Sequence, residues 1–263
     1  MTNEIEGLSE AVLFERVGAH VAMVTLNRPE VRNAVNGDVT RGMEAAIART
    51  EADNQIRVVI LAANGERSFC AGADLSVVAK GQASELRTER GGFAGFVRAP
   101  RTKPWIAAVN APALGGGLEF CLTCDMIVAG RSAQFGLPEV KRGLYAGAGG
   151  SFRLPRAIPR HVALEMITTG RSIDAQRAYA LGLVNCVVDD VRAAALELAE
   201  EIAANAPLSI RESLAVARIA DDLSEQELWQ LSGEAGQRVA ASPDSKEGAR
   251  AFVEKRAPVW SSV

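Results

Sequence analysis

Short, nearly continuous apolar runs separated by glycine-bearing turns dominate the first half of the chain. Longer segments with an apolar stripe at helical spacing dominate the second. VLFERV (12–17) and VAMVTL (21–26) flank Gly18-Ala19-His20, a pattern that predicts a β-hairpin. Residues 38–53 place Met43, Ala46 and Ile47 on one stripe and predict a helix. RVVILAA (57–63) is β-branched and almost wholly apolar, as expected of a strand covered on both faces. WIAAV (105–109) and MIVA (126–129) predict two further short strands. After Pro159 the period changes, and helices are predicted over 162–168, 175–181, 191–204, 210–220, 225–240 and 244–255, interrupted only by a strand at VNCVV (184–188). The pattern predicts an α/β core over residues 1–195 followed by a helical region over 196–263. That region serves either as an assembly surface or as a cover packed back on the core.

Composition narrows the function classes. The 263 residues are 48% hydrophobic and 23% charged with a formal net charge of -3, which gives no general surface for nucleic acid or anionic lipid. No apolar run reaches the length of a membrane span, and the polar start MTNEIEGLSE is unlike a signal peptide. The expected location is therefore the cytoplasm. Cys121 and Cys124 form a C-x-x-C, but no second pair follows and His20 and His161 are the sole histidines. A zinc site cannot be built from such ligands, and buried small hydrophobes are the expected role of both thiols.

ALGGGLEF (113–120) is harder to explain as plain structure, because three consecutive glycines weaken any regular element. A loop held close to a ligand with a helix starting behind it, or a flexible turn, are the two readings of the triplet. Two more small-residue turns accompany it. SFCAGADL (68–75) leaves the strand 57–63 with small side chains around its amides and Asp74 placed to cap a helix. QFGLPEVKRGL (134–144) sets Pro138 before Glu139 at a turn or first helical position. Glu119 follows Gly116 by about one helical turn, so both can face the same side. Glu139 comes after one predicted strand and a turn. No G-x-S-x-G, H-E-x-x-H or P-loop is present.

With NRPEVRNA (27–34), FCAGADL, KPWIAAVNAPALGGGLEFCLTCD, FGLPEVKRGL, GAGGSFRLPR and the ending FVEKRAPVW in this order, the whole chain resembles the enoyl-CoA hydratase/isomerase, or crotonase, family. Ala146 to Phe152, where fatty-acid hydratases carry a proline and a Thr-Gln pair, and GFAGFV (92–97) resemble the carnitinyl-CoA dehydratase (crotonobetainyl-CoA hydratase) subgroup. The resemblance implies a crotonase-type superhelix of ββα units and reversible hydration of an acyl-CoA thioester. Coenzyme A is then part of the substrate, and no further cofactor or metal is implied. By motif position it assigns the backbone N–H groups of Ala73 and Gly116 to an oxyanion hole, Glu119 to water activation and Glu139 to proton donation. It places Arg28, Arg32, Ala34, Ala71, Gly72, Asp74 and Leu75 along the coenzyme, with Phe252 and Lys255 of the terminal helix reaching a neighbouring subunit's coenzyme in a trimer or dimer of trimers. A Δ3,Δ2-enoyl-CoA isomerase, which needs one glutamate, and a non-catalytic acyl-CoA-binding assembly subunit are the alternatives.

Overall fold

The computed structural model describes residues 9–261. The predicted hairpin forms as β1 (Val12–Arg16) and β2 (Val21–Leu26), followed by α1 (Gly37–Ala52), whose first turn is capped by the Asn36 side chain accepting from the Val39 amide. Then come β3 (Val58–Ala63), α2 (Leu75–Ala79), a small ribbon of β4 (Arg87–Thr88) and β5 (Gly92–Phe93), β6 (Trp105–Val109), β7 (Ala113–Leu114) and α3 (Gly116–Cys121). β8 (Met126–Gly130) and β9 (Gln134–Gly136) lead through a 3-10 turn at Pro138–Arg142 to α4 (Gly150–Ala157) and α5 (Arg160–Thr169). The remainder is β10 (Ser172–Asp174), α6 (Ala175–Ala180), β11 (Cys186–Val188), α7 (Val191–Ala203), α8 (Pro207–Ala217), α9 (Glu225–Ala241) and α10 (Pro243–Glu254).

Strands β1-β2-β3-β6-β8-β11 form one sheet, parallel except at the β1–β2 edge. Both faces are covered, which is why the strand sequences read as continuous apolar runs. One face carries Val24, Leu26, Val59, Leu61, Trp105 and Val109 into the main core with α1. The alternate residues Met23, Val58, Ile60, Ile106 and Val128 meet Val191, Ala195, Ala199 and Ala203 of α7.

After each of β3, β6 and β8 the chain adds a short segment to a second layer and then turns into a helix or helical turn. Bridges Val35↔Ala73 and Cys70↔Ala113 continue into the sheet β7-β9-β10. This stacking is the expected ββα superhelix, and it brings the segments after Cys70, Leu114 and Gly136 side by side at one end of the main sheet.

Several elements depart from the sequence expectation. Two strands, not one, separate Glu119 from Glu139, and β10 is a second strand after Pro159. α4 forms over GSFRLPRA despite an internal Pro155. The division after residue 195 falls inside α7, whose Ala195 and Ala199 are buried on the main sheet, so the helices leaving the core begin at α8. Cys121 is buried with its thiol donating to the Gly117 carbonyl at 3.3 Å, Cys124 is half-buried, and no group of metal-binding side chains occurs among the described residues. Among the described residues no helix is long and apolar enough to cross a membrane.

Candidate active site

The NRPEVRNA segment builds the first wall. Arg32 and Asn33 both adopt left-handed backbone (φ 58 and 54), a conformation that asparagine tolerates better than most residues. The buried Asn33 amide pays for that strain by tying three strands of chain together: its Nδ2 donates to Asn64 O at 2.9 Å and Ser68 O at 3.1 Å, and its Oδ1 accepts from the Arg28 amide at 2.8 Å. The Ala71 amide donates to Arg32 O, the Val35 amide to Gly72 O and the Asp74 amide to Val35 O. Arg28 Nη1 reaches Ala34 O at 2.6 Å and Asp74 Oδ2 at 3.3 Å. Burial works to raise the Asp74 carboxyl, but the Ser76 hydroxyl and amide and the Arg28 guanidinium outweigh it and hold the group below the usual carboxylate range. Arg28, Arg32, Ala34 and Ala71–Leu75 are thus one structural unit, in which Arg28 is occupied by an internal acid and the Arg32 side chain is exposed.

Pairing with Val35 through the residues on either side of Ala73 leaves the Ala73 N–H directed away from that partner. The Gly116 N–H heads α3, where the first amides of a helix have no partner within it. Neither N–H has an acceptor among the described residues. Gly72 and Gly116 lie against one another: a Cβ on Gly72 would sit 3.0 Å from the Gly116 nitrogen, and Gly72 itself has φ +87. A side chain there would cover the amide.

The triplet is now explained position by position. Gly115 has φ +56 and turns the chain into α3, and a Cβ on it would lie 3.1 Å from Glu139 Oε1. A Cβ on Gly117 would overlap the Cys70 carbonyl. At Gly116 the added atom would lie 2.5 Å from the Phe93 ring. An aromatic ring thus occupies the side-chain direction at Gly116, a packing reason for glycine there. The ring belongs to a cluster in which Phe93 and Phe120 have centroids 5.9 Å apart and Phe96 meets both Phe120 and Trp105. Sequence reading did not single out Phe93, Asn33 or Gly150, although GFAGFV and the asparagine of NRPEVRNA were visible.

Glu119, in the first turn of α3, is 3% exposed. Its Oε1 accepts from the Gly150 amide at 2.9 Å, at the start of α4. Burial pushes its carboxyl up to about 7, with the Glu139 charge adding to the rise, while the amides of Gly150 and Ala148 and the Arg153 charge oppose it. Glu139 is half-buried in the 3-10 turn that Pro138 opens. Burial raises its carboxyl too, its own amide and the Arg142 charge pull it down, and its enclosed Oε2 has no partner among the described residues. The two shifts have the same direction, and burial is the first cause of both. Glu139 Oε1 lies against Gly115 and Glu119 Oε1 against Gly150.

Two amides without acceptors among the described residues and two carboxyls raised by burial are the chemical groups of this candidate site. A family model described as Enoyl-CoA hydratase/isomerase matches residues 16–263. The chain belongs to that family. It is 39% identical over 247 residues to the carnitinyl-CoA dehydratase of Proteus mirabilis, covering 91% of this chain and 94% of the relative. It is 41% identical over 254 residues to the enoyl-CoA hydratase EchA19 of Mycobacterium tuberculosis, covering 94% of each. A crystal structure of enoyl-CoA hydratase from Mycobacterium tuberculosis H37Rv superimposes with a TM-score of 0.92 at 41% identity, covering 97% of this chain and 100% of that one. The expected crotonase-type α/β superhelix is therefore the fold of this family member.

The terminal segment is arranged differently from the sequence expectation. α10 ends at Glu254, and Lys255 is its left-handed cap (φ 55) rather than part of the helix. Arg256 is held by Glu247 and Glu254. Phe252 is 85% exposed. Among the described residues no hydrogen bond or ion pair joins Phe252 or Lys255 to the Ala71–Leu75 wall, so within one chain they are not part of the site.

Proposed function

We propose that the protein catalyses reversible addition of water across the double bond of a 2-enoyl-CoA thioester. What supports this reading most is the pairing of two acceptor-free amides, Ala73 and Gly116, with two protonatable carboxyls. The thioester oxygen accepts from both amides, where negative charge accumulates as the double bond is attacked; donors fixed at that point act mainly on the transition state. Glu119 takes a proton from a bound water, whose oxygen bonds to C3. The C2=C3 π electrons move toward C2 and the thioester, and Glu139 delivers a proton to C2. The proton then returns from Glu119 to Glu139 through the next water, restoring the starting state.

The assignment of the stored proton to Glu139 rests on hydrogen bonding rather than on which carboxyl is raised further. Glu119 receives the Gly150 and Ala148 amides, which favour its ionised form, whereas Oε2 of Glu139 is enclosed without a donor. This chemistry calls on no cofactor beyond the coenzyme A carried by the substrate. The deciding assay follows the loss of conjugated-thioester absorbance over a panel of enoyl-CoAs. Turnover of at least one is expected, and no turnover of any would overturn the reading. The relatives of similar identity carry different substrate names, and the subgroup motifs favour a carnitinyl-CoA dehydratase. That finer reading requires kcat/KM for crotonobetainyl-CoA to exceed that for crotonyl-CoA.

The exposed Phe252 and Lys255 fit a site completed by a second subunit of a cytoplasmic trimer or dimer of trimers, with the ring on adenine and the ammonium on phosphate. Removing everything after Ala251 would also delete the Trp260 donor to Ala204 O and the Ser261 contacts to Asp244. F252A/K255A is the cleaner variant. KM should rise about tenfold or more, as for loss of a charge-assisted hydrogen bond of about 1.5–3 kcal/mol, with kcat nearly unchanged. An unchanged KM in a protein of unchanged mass by light scattering would mean that the tail is ordinary surface.

A further inference from the structure

Glu119 is held by an amide thirty-one positions along the chain, so something must fix α3 and α4 relative to each other. Arg153 spans that junction. Its Nη1 donates to Thr123 Oγ1 at 2.6 Å and its Nη2 to Val97 O at 2.8 Å, while the Thr123 hydroxyl donates to the Glu119 carbonyl at 2.6 Å. The guanidinium runs close over Gly149, where a Cβ would lie 2.8 Å from Nη1, so the GAGG turn is shaped around it. Arg153 sits one turn after Gly150 on α4, and the same helix therefore carries both the donor to Glu119 and a cation whose charge favours its ionised form. No carboxylate forms an ion pair with Arg153 among the described residues.

We infer that Arg153 is the positioning residue of the site: through Thr123 and Val97 it locks α4 against α3 so that the Gly150 amide meets the Glu119 carboxyl, and its uncompensated charge favours the ionised form of Glu119. The inference rests on the reading of Glu119 as the group that activates water. The charged groups that bear on Glu119 are Glu139 from the 138–142 turn, which disfavours ionisation, and Arg153 from α4, which favours it. Arg156 and Arg101 act on Arg153 in turn, both as like charges. Partial burial makes the guanidinium costly to hold, with the Glu119 charge as its electrostatic return.

The sign follows directly. Removing a positive charge near a carboxyl raises its pKa, so Glu119 would protonate at a higher pH and lose its ability to take a proton from water. In R153M the midpoint of Glu119 titration should move up, by at most about one pH unit because the Arg153 charge is the smallest of the effects acting on Glu119. This is followed by infrared carboxyl bands, with the Glu119 band assigned by its loss in E119Q. The acid limb of kcat/KM for a 2-enoyl-CoA should move with it, giving a loss of up to tenfold near neutrality that is recovered at higher pH. R153K keeps the charge but lacks the fork that reaches Thr123 and Val97 together, so the loosened Gly150 contact should raise its midpoint by less than R153M does, at a lowered kcat. It carries the test if R153M does not fold. A wild-type midpoint in folded R153M, a pH-independent loss, or a wild-type kcat in R153K would overturn the role of Arg153 and leave the hydratase reading intact. An E119Q enzyme of near-native turnover would instead remove the hydratase mechanism, and this inference with it.

Discussion

Glu119→Gln and Glu139→Gln are each expected to lower kcat for hydration on the order of 10²–10⁴-fold, the range for a general acid or base. Gln keeps the shape of Glu, and its side-chain oxygen can still accept from the Gly150 amide, so the fold and thioester binding should survive. Both substitutions replace a proton carrier by a group that does not exchange protons in this range. Because the two acids serve one water, the double variant should be only slightly worse than either single one. E139Q also removes the charge that adds to the rise at Glu119, so the remaining carboxyl should titrate closer to its ordinary range. Single-turnover rates on the best enoyl-CoA, with Kd from titration of an unreactive thioester, separate these effects. Near-native turnover in either single variant would sink the paired-acid mechanism.

Loss of the Gly116 amide is expected to cost about 10²–10³-fold in kcat, the usual effect of deleting one oxyanion donor. Proline supplies that deletion and is tolerated at the first position of a helix. Its ring, however, would collide with Phe93, whose edge lies 2.5 Å from the added Cβ. The informative comparison is therefore F93A/G116P against F93A, since the second variant opens the space without touching the amide. The difference should fall on kcat, with ground-state thioester affinity altered far less, because the donor matters most when charge has moved onto oxygen. A difference confined to KM would mean that the amide acts only as a binding contact.

The strands of the main sheet, the hairpin and most of the late helices were legible because each carries its own signal: an apolar run of five or six residues, or a stripe at helical spacing with a capping residue before it. Asp74, Asp190 and Ser224 cap α2, α7 and α9 as such residues do. β7, β9 and β10 carry no comparable signal. They are two or three residues long and exist because each finds a partner elsewhere in the chain, Ala113 with Phe135 and Phe135 with Ile173. α4 contains Pro155 and opens on glycines, so local preference argues against it; packing of Leu154 into the core and the bonds of Arg153 hold it in place.

The sequence by itself determined the family, the order of the turns and the candidate acids, because those are carried by residue types at fixed positions within short motifs. Only the tertiary structure decided that Glu139 lies against Gly115, that Glu119 is buried against the Gly150 amide, and that Phe93 fills the space a side chain at position 116 would take. The same holds for Arg28 being occupied by Asp74, and for Lys255 closing a helix instead of lying on it. The physical reason for the contacts is shared. Burial, charge coupling and steric contact depend on which distant segments meet, and partners such as Glu119 and Gly150, 31 positions apart, or Arg28 and Asp74, 46 apart, lie beyond the reach of any local pattern.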